Sequence, residues 1–464
     1  MTPTQHWRPG RRHSCLVAAI LAVLAATPAF AQSDKERELE ARVAQLESMV
    51  QQLLDQQQSL SGETAAVRAE QSSQAARLDA MPAAAPLPAG ANPIQATTLT
   101  PGANPGTRLS FGGFIKFDAM ATHTSDGEIP DSNAGRALYL PGAIPVGGEG
   151  EGTDVDMHAQ FSRLWVSADT TLDSGDKLRG FLEFDLFGGA LGNEGATNTY
   201  GLTIRHAYAT WNNWLAGQTW SNFQDVAALP DSVDFVGPTD GTTFVRQAQL
   251  RYTTGAWSFS AENPQTLLTP HGGGARISSD DNNLPDFTVR YTKRGDWGHF
   301  GIAGLFRQLK YENLATGVND SISGYGVSAS GRFVLGPKDD LRYMLTAGRG
   351  INRYIGLAIT NDAALDTGGD LDAIEALAGF VGWRHAFSPK FRTNLIYARS
   401  QYDNDSANTG LGITRMVHSV RANGIWTPLP KLDLGLELMY GVRELESGVD
   451  GDMTRLQFHA RYSF

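Results

Sequence analysis

Arginines in the C-terminal part of this chain recur at positions that alternate with apolar residues. Arg163 is out of phase with Leu164, and Arg205 is out of phase with Leu202 and Ile204. Because successive side chains of a β-strand point to opposite faces, this spacing gives a strand one guanidinium-bearing face and one apolar face. Guanidinium groups bind carboxylates and phosphates through paired hydrogen bonds, so such a face favours anions. The residues expected on the polar face are Arg163, Arg179, Arg205, Arg251, Arg290, Arg332, Arg342, Lys116 and Glu183.

The last ten residues alternate without a break and end on an aromatic residue. Leu456, Phe458 and Tyr462 share one parity, and Arg455 and Arg461 share the other. A strand that is apolar on one side and charged on the other is typical of a membrane-spanning β-barrel, with lipid outside and water inside. Half-buried strands of soluble sheets alternate similarly, so this segment alone leaves that alternative open. The arginines whose phase stays ambiguous are Arg246, Arg384, Arg399 and Arg421.

Sixteen alternating segments predict an all-β fold, a 16-stranded antiparallel transmembrane β-barrel over residues 108–464. An even number of strands allows an antiparallel barrel to close. Short connections such as Asn212-Asn213 alternate with long ones such as residues 263–285, as expected for periplasmic turns and extracellular loops. The strands are expected to begin near Leu109, His158, Lys177, Tyr200, Trp214, Thr243, Ala256, Asp286, Gly298, Ser323, Asp339, Ile374, Lys390, Ile413, Lys431 and Met453.

The N-terminus predicts export from the cytoplasm. Arg8, Arg11 and Arg12 precede a short apolar run and an Ala29-Phe30-Ala31 site, which is the pattern of a signal peptide over residues 1–31. Cys15, the only cysteine, lies inside this segment. The mature chain is therefore expected to have no disulfide and no thiolate metal site.

Residues 34–80 are predicted to form a periplasmic α-helical coiled coil. Apolar residues follow one another at spacings of four and three, the heptad pattern of an oligomerising helix. A single amphipathic helix lying on the barrel or membrane is the alternative. A Pro/Ala/Gly-rich stretch, residues 81–107, is predicted to be an extended linker. The expected core positions of the coil are Leu39, Val43, Leu46, Val50, Leu53 and Leu60.

The formal net charge of −11 is distributed unevenly. Acidic residues concentrate in the long loops, while the strands and turns keep an excess of arginine. A charged side chain that faces lipid near the bilayer centre costs roughly 2–4 kcal/mol, so strand arginines are expected to face the lumen or lie near the interfaces. Acidic outer loops favour contact with outer-membrane lipopolysaccharide, bridged by divalent cations.

The third long connection, residues 220–242, is the candidate constriction loop. It contains aspartates and no basic residue, so folding inward would set it against the arginine wall and create a transverse field. The alternative is that the arginines pair with lumenal acids and leave a weakly selective pore. Those acids are Asp118, Asp169, Glu183, Asp185, Asp433 and Glu437. The residues assigned to the constriction are Trp220, Phe223, Asp225, Asp231 and Asp234.

The sequence offers little for a catalytic, cofactor or nucleic-acid site. The ten histidines are scattered, and a grouping of Ser162, Asp185 and His206 is better explained as accidental. Asp280-Asp281 has the carboxylates of a calcium site, but a solvated loop explains it better. No catalytic residue, metal, cofactor or nucleic-acid partner is predicted.

The order of signal peptide, coiled coil, linker and barrel resembles that of the DcaP-like porins of Gram-negative outer membranes. Local matches are Phe111 to Lys116 at the barrel start, Arg205-His206-Ala207-Tyr208, and Ala216 to Phe223. The resemblance covers nearly all of the mature chain. It implies a homotrimer with a periplasmic coiled coil that takes up small, often negatively charged solutes. Arg205 and the segment from Gly217 to Phe223 are the positions carried over from the family.

Together these patterns predict an outer-membrane porin rather than an enzyme. Its N-terminal segment would lie in the periplasm, and its water-filled channel would favour small anionic solutes such as carboxylates. A weakly selective general porin, a structural outer-membrane tether and a barrel enzyme are the alternative interpretations.

Overall fold

A computed structural model describes residues 106–131, 133–188 and 200–464 of the chain. The predicted signal peptide, the predicted coiled coil and nearly all of the predicted linker lie outside the described residues. Among the described residues, no helix is long and apolar enough to cross a membrane.

The described chain is dominated by strands that form one closed antiparallel barrel. The strands are β1 (Arg108–Thr124), β2 (Gly152–His158), β3 (Arg163–Thr171), β4 (Lys177–Gly188), β5 (Gly201–Trp211), β6 (Trp214–Trp220), β7 (Arg246–Thr254), β8 (Trp257–Glu262), β9 (Thr266–Thr269), β10 (Ile277–Ser279), β11 (Asp286–Gly295), β12 (Gly298–Asn313), β13 (Val318–Val334), β14 (Asp339–Arg349), β15 (Ala363–Leu365), β16 (Leu371–Ala373), β17 (Glu375–Ser388), β18 (Phe391–Asp403), β19 (Thr414–Leu429), β20 (Leu432–Leu445) and β21 (Asp450–Ser463). The short helices are α1 (Ala134–Ala137) and α2 (Ser406–Thr409), and 3₁₀ turns span Pro141–Ala143, Val226–Ala228, Thr239–Gly241 and Asn352–Tyr354.

The barrel closes where the first strand meets the last. One edge of β1 pairs with β21, and its other edge pairs with β3 near its start and with β2 near its end. β2 and β3 therefore act as one interrupted strand, and the barrel has sixteen strands. At the break, the Lys116 N–H donates to the Ser162 hydroxyl at 3.0 Å.

Two predicted strand starts need correction. The second strand, expected to begin near His158, is preceded by β2 (Gly152–His158), which lies where a long loop was expected, and residues 159–162 leave the ladder before β3 begins. The strand expected near Ser323 begins earlier, at Val318, because its hairpin with β12 continues to Asn313. The other fourteen strands begin within a few residues of their predicted positions.

Alternation of side chains separates the two faces of the barrel. On β18 the outward residues Leu395 and Tyr397 are 51% and 45% exposed, whereas Ile396 and Ala398, which alternate with them, are buried. Exposed apolar residues of the other strands continue this outer surface. This is the arrangement that lipid outside and polar groups inside require.

Several long loops fold into the barrel interior. Loop 3, residues 221–245 between β6 and β7, packs with the β14–β17 connection in a buried cluster that includes Phe223, Leu305, Ile351 and Tyr354. The strands β9, β10, β15 and β16 belong to two loops and form a separate four-stranded sheet. The contacts of the buried cluster around Phe223 and Tyr354 position loop 3 against the wall residues.

Candidate channel interior

One end of loop 3 is held by the wall formed by β11, β12 and β13. The Asp225 carboxylate lies 2.8 Å from Arg290 Nη2 and 3.0 Å from His299 Nε2, and it accepts a hydrogen bond from Ser330 Oγ at 2.9 Å. Burial alone would raise the pKa of Asp225, but Arg290 and His299 outweigh burial and hold that pKa below its usual range. Asp225 also caps the 3₁₀ turn that follows it. The predicted loop aspartate is therefore a charged anchor to the wall.

The middle of loop 3 contacts a different part of the barrel. Asp231 pairs with Arg392 of β18 at 2.5 Å. Ser232 Oγ donates to Glu437 of β20 at 2.9 Å, and Lys116 Nζ of β1 donates to the Val233 carbonyl at 3.0 Å. Loop 3 thus spans the interior from β11–β13 to β18–β20 and β1.

Two further loop aspartates are buried. Asp234 accepts a hydrogen bond from the Tyr139 backbone N–H at 2.9 Å. Asp240 accepts one from Ser419 Oγ at 3.0 Å, and its Oδ2 has no hydrogen-bond partner among the described residues. Burial, only partly offset by Arg421, raises the pKa of Asp240 to about 6. These two carboxylates therefore act in packing the loop.

Four arginines lie near Trp220, at the end of β6. They are Arg163, Arg205, Arg246 and Arg251, and we call them the Trp220 group. The guanidinium groups of Arg205 and Arg246 lie 5.8 and 4.9 Å from the Trp220 ring centroid. Arg251 Nη2 donates to the Trp220 carbonyl at 2.5 Å. Arg163 contacts Glu183, which also contacts Arg205.

Charge in the Trp220 group is only partly balanced. Arg205 pairs with Glu183 at 2.9 Å and with Asp185 at 2.7 Å. Arg246 and Arg251 have no ion-pair partner within the described part of the chain. The ion pairs of the four guanidinium groups thus involve two carboxylates, and Glu262 attracts Arg251 at longer range.

Local backbone irregularities create the Trp220 group. The β4–β5 ladder shifts register beside Arg205, so this residue has no cross-strand partner and joins His206 on the inner side. Gly217 on β6 has φ +127°, and a Cβ there would lie 2.4 Å from the Ala207 carbonyl. A glycine at this position lets β6 approach β5 closely.

A second set of arginines surrounds Asp340; we call it the Asp340 group: Arg332, Arg342 and Arg384. Their guanidinium nitrogens lie 2.9, 2.8 and 3.4 Å from the Asp340 carboxylate. The Asp340 side chain is 1% exposed, while those of the three arginines are 38%, 19% and 26% exposed. Three positive charges therefore surround one buried carboxylate and remain accessible to water.

The other predicted wall residues are mostly neutralised by ion pairs. Arg290 pairs with the loop residue Asp225. The other pairs lie within the wall: Lys116–Asp118 at 2.5 Å, Arg179–Asp169 at 3.4 Å and Arg461–Asp433 at 2.6 Å. Arg421, which the sequence left unassigned, pairs with Glu437 at 3.4 Å. This matches the pairing that the sequence left open as an alternative.

Sequence reasoning did not assign Arg384 or Arg421, whose phase was ambiguous, and it did not single out Asp340 or Arg392. Asp340 lies two residues before Arg342, so the two side chains share a strand face, and this spacing could have identified the pair. Arg392 contacts both Asp231 and Asp433. No sequence signal relates it to loop 3, because its partner Asp231 is distant in the chain.

Comparison with known proteins supports the architecture. A model of the family described as DcaP outer membrane protein matches residues 92–464. The fold is similar to that of the outer membrane channel DcaP of Acinetobacter baumannii, with 24% identity, a TM-score of 0.63, and coverage of 78% of this chain and 99% of that chain.

Two of the more distantly similar solved structures are matched over nearly their whole length. No curated protein sequence matches the chain. OmpT, an outer membrane protein of Vibrio cholerae, is 12% identical with a TM-score of 0.48, covering 77% of this chain and 98% of that chain. An anion-selective porin from Comamonas acidovorans is 12% identical with a TM-score of 0.46, covering 77% of this chain and all of that chain. Because the family model spans most of the sequence, this chain belongs to the DcaP outer membrane protein family.

Proposed function

We propose that the protein forms a water-filled diffusion channel across the outer membrane for small hydrophilic solutes and favours anions such as carboxylates. Membership of an outer membrane protein family and the similarity to a solved outer membrane channel support the channel function. The observation that carries the anion preference is the Asp340 group, in which three partly exposed arginines surround a single carboxylate.

The two arginine groups lie on nearly opposite walls of the barrel. The Trp220 group belongs to β3, β5 and β7, and the Asp340 group belongs to β13, β14 and β17. An anion that passes between them meets a surplus of positive charge on both sides, which lowers its barrier relative to a cation. Guanidinium forks offer two parallel donors to a carboxylate, while their partial hydration keeps binding weak enough for release.

Loop 3 is the proposed constriction. Its contacts with β11–β13 and with β18–β20 extend across the interior. Asp225 and Asp231 are each paired with a wall arginine, so the transverse field expected from an acidic loop is reduced. The surplus arginines, rather than the loop aspartates, then determine the sign of the selectivity.

The test is the reversal potential of the channel in a planar bilayer under a KCl gradient. We expect the double variant Arg332→Gln/Arg384→Gln to shift selectivity toward cations by about twofold or more, from two charges removed near the ion path. Arg342 stays in place so that the buried Asp340 keeps a partner. The matched control is Lys338→Gln/Lys390→Gln, which removes two charges from exposed turns.

A weakly selective general porin is the second candidate, favoured by the wall ion pairs in which basic groups and carboxylates are matched in number. An unchanged reversal potential in the Arg332/Arg384 variant would favour it and contradict the anion preference. A bilayer that stays closed with the wild-type protein would contradict the channel itself. For a channel that conducts, the rates of liposome swelling with carboxylates, sugars and phosphates would compare how fast each class of solute passes.

We further propose the domain arrangement and assembly that the sequence predicts. The signal peptide, residues 1–31, is removed, residues 34–80 form a periplasmic trimeric coiled coil, and residues 81–107 connect it to the barrel of residues 108–464. The heptad spacing supports this assembly. Acidic outer loops bridged to lipopolysaccharide by divalent cations complete the proposed environment.

A further inference from the structure

Arg399 departs from the rule that strand arginines face the barrel interior. On β18 it shares the outward face with Leu395 and Tyr397, and the residues between them are buried. Its guanidinium Nη2 donates to Gln401 Oε1 at 3.1 Å. Two other arginines on the outer side have acidic partners: Arg415 pairs with Glu444 at 2.8 Å and Arg349 with Asp372 at 3.4 Å. Arg399 has no ion pair with any described residue.

A groove of about 490 Å³ opens beside Arg399 on the outer surface of the barrel. Gly379 is the cross-strand neighbour of Arg399, and its missing side chain contributes to this opening. A Cβ at Gly379 would lie 3.3 Å from Leu345 Cδ1, inside the groove. The groove is lined mainly by apolar and aromatic residues, including Tyr343, Leu345, Leu377, Gly379 and Tyr397. Part of an acyl chain would be in contact with apolar groups there.

The height of Arg399 fits the outer leaflet. It follows Phe391, at the short-turn end of β18, by eight residues, and it precedes Asp403, at the long-loop end, by four. With a rise of about 3.3 Å per residue and a tilt of about 45°, its Cα lies roughly 19 Å above the short-turn end, in an apolar band about 25 Å tall. Arg399 therefore lies within reach of the outer headgroups.

The surroundings of Arg399 suit a phosphate group. His418 is its cross-strand neighbour on β19, and Gln401 is the next outward residue on β18. Farther toward the long-loop end, the exposed residues Glu375 and Asp403 face each other across β17 and β18. Hydrogen-bond donors, one of them the Arg399 cation, thus lie at the inner edge of the polar zone, and carboxylates that can bind divalent cations lie beyond them.

We propose that Arg399, together with Gln401 and His418, binds a phosphate of a phosphorylated glycolipid of the outer leaflet, one of whose acyl chains lies in the adjacent groove. An anion at this point would offset the cost of holding an unpaired guanidinium within the apolar band. The long-loop side of the barrel favours the glycolipid over a glycerophospholipid of the inner leaflet. The phosphate and the chain are recognised by different parts of one surface.

The test uses the full-length protein in detergent and native mass spectrometry with bisphosphorylated lipid A as the probe. We expect Arg399→Gln to weaken retention of the probe roughly tenfold, as loss of a charge-assisted hydrogen bond predicts. Arg415→Gln, which removes a neighbouring outward charge already paired with Glu444, is the matched control and is expected to change retention less than about twofold. Arg399→Lys keeps the charge and is expected to retain most of the binding.

Three results would overturn the proposal. One is equal retention of the probe by wild type and Arg399→Gln. Another is a drop in retention from wild type to Arg399→Gln that is just as large when the probe is dephosphorylated lipid A or phosphatidylglycerol. That result would show that the site does not select a sugar-linked phosphate. The third is a change of oligomeric state in Arg399→Gln, which would assign the surface to contact between copies. If Arg399→Gln fails to fold, Arg399→Lys provides the test. The proposal would be contradicted if Arg399→Lys retained bisphosphorylated lipid A no more strongly than dephosphorylated lipid A.

Discussion

At the scale of single residues, the electrostatic effect of an arginine depends on how many carboxylates share it. Arg290 meets Asp225 one to one and contributes little net field. Arg332 and Arg384 share Asp340 with a third arginine and keep positive charge that solvent can reach. Only surplus charge of this kind can attract an anion from water, because a matched pair is nearly neutral at the distance of a passing solute.

Asp240 provides a prediction about pH. Its side chain is fully buried and its pKa is raised to about 6, so the folded protein favours the protonated form. The contribution of Asp240 to the free energy of unfolding is fully present below its unfolded pKa of 3.8 and is lost as pH rises through about 6. We expect Asp240→Asn to match wild type at pH 4 and to be more stable at pH 8, by about 3 kcal/mol at most.

The measurement for Asp240 is the midpoint of thermal unfolding at the two pH values. Unfolding is monitored by the shift in gel mobility that heating produces. Asp296→Asn, in an exposed turn, is the control and is expected to show no such pH-dependent gain. A stability difference between Asp240→Asn and wild type that is the same at pH 4 and pH 8 would contradict the assignment.

At the scale of elements, the wall strands and the loops play different parts. The strands set the height and face of each arginine through their alternation, and irregularities such as the register shift beside Arg205 turn an extra side chain inward. Loop 3 is held by the ion pairs of Asp225 and Asp231 in its first half and by close backbone packing at Gly241 in its second half. Its position therefore depends on the wall as much as on its own sequence.

Gly241 tests the seating of loop 3. It lies in the 3₁₀ turn Thr239–Gly241, and a Cβ there would lie 2.2 Å from the Gly379 carbonyl of β17. We expect Gly241→Ala to displace the loop from the wall toward the lumen, at a cost of about 1–3 kcal/mol, and to lower single-channel conductance. Gly412→Ala, where a Cβ meets no atom within 4 Å, is the control. Equal conductance in the two variants would show that loop 3 does not narrow the path.

At the scale of the whole molecule, the pairing of β1 with β21 closes the barrel and leaves no free sheet edge among the sixteen wall strands. Closure satisfies the backbone hydrogen bonds that lipid cannot satisfy. The barrel can therefore be stable without the N-terminal segment, whose predicted role is assembly.

The predicted coiled coil can be tested by replacing its core. We expect Leu46→Ser/Leu53→Ser to reduce recovery of trimers after detergent extraction while single-channel conductance is retained, because the heptad core loses apolar burial and the barrel is untouched. Gln45→Ser/Gln52→Ser, off the predicted core, is the matched control. Trimer stability equal to wild type in the leucine variant would refute the assembly role.

Alternation along the chain was sufficient to predict the fold class and most strand positions. Period-two alternation depends only on neighbouring residues, so Arg163, Arg179 and Arg342 could be assigned to one face of their strands without coordinates. The even number of strands and the sorting of short turns from long loops then predicted the closed antiparallel barrel. The strand β2 was missed because the glycines and acidic residues of positions 147–156 fit a long loop better than a strand.

Which charges neutralise one another depends on the folded barrel and could not be read from the chain. Asp231 and Arg392 are distant in sequence, and the outward position of Arg399 depends on the phase of a strand in which apolar residues occupy both faces. The surplus at Asp340 likewise arises from arginines on three strands. Alternation is local along the chain, whereas the net field depends on distances across the barrel, and closure and the inward folding of loop 3 set those distances.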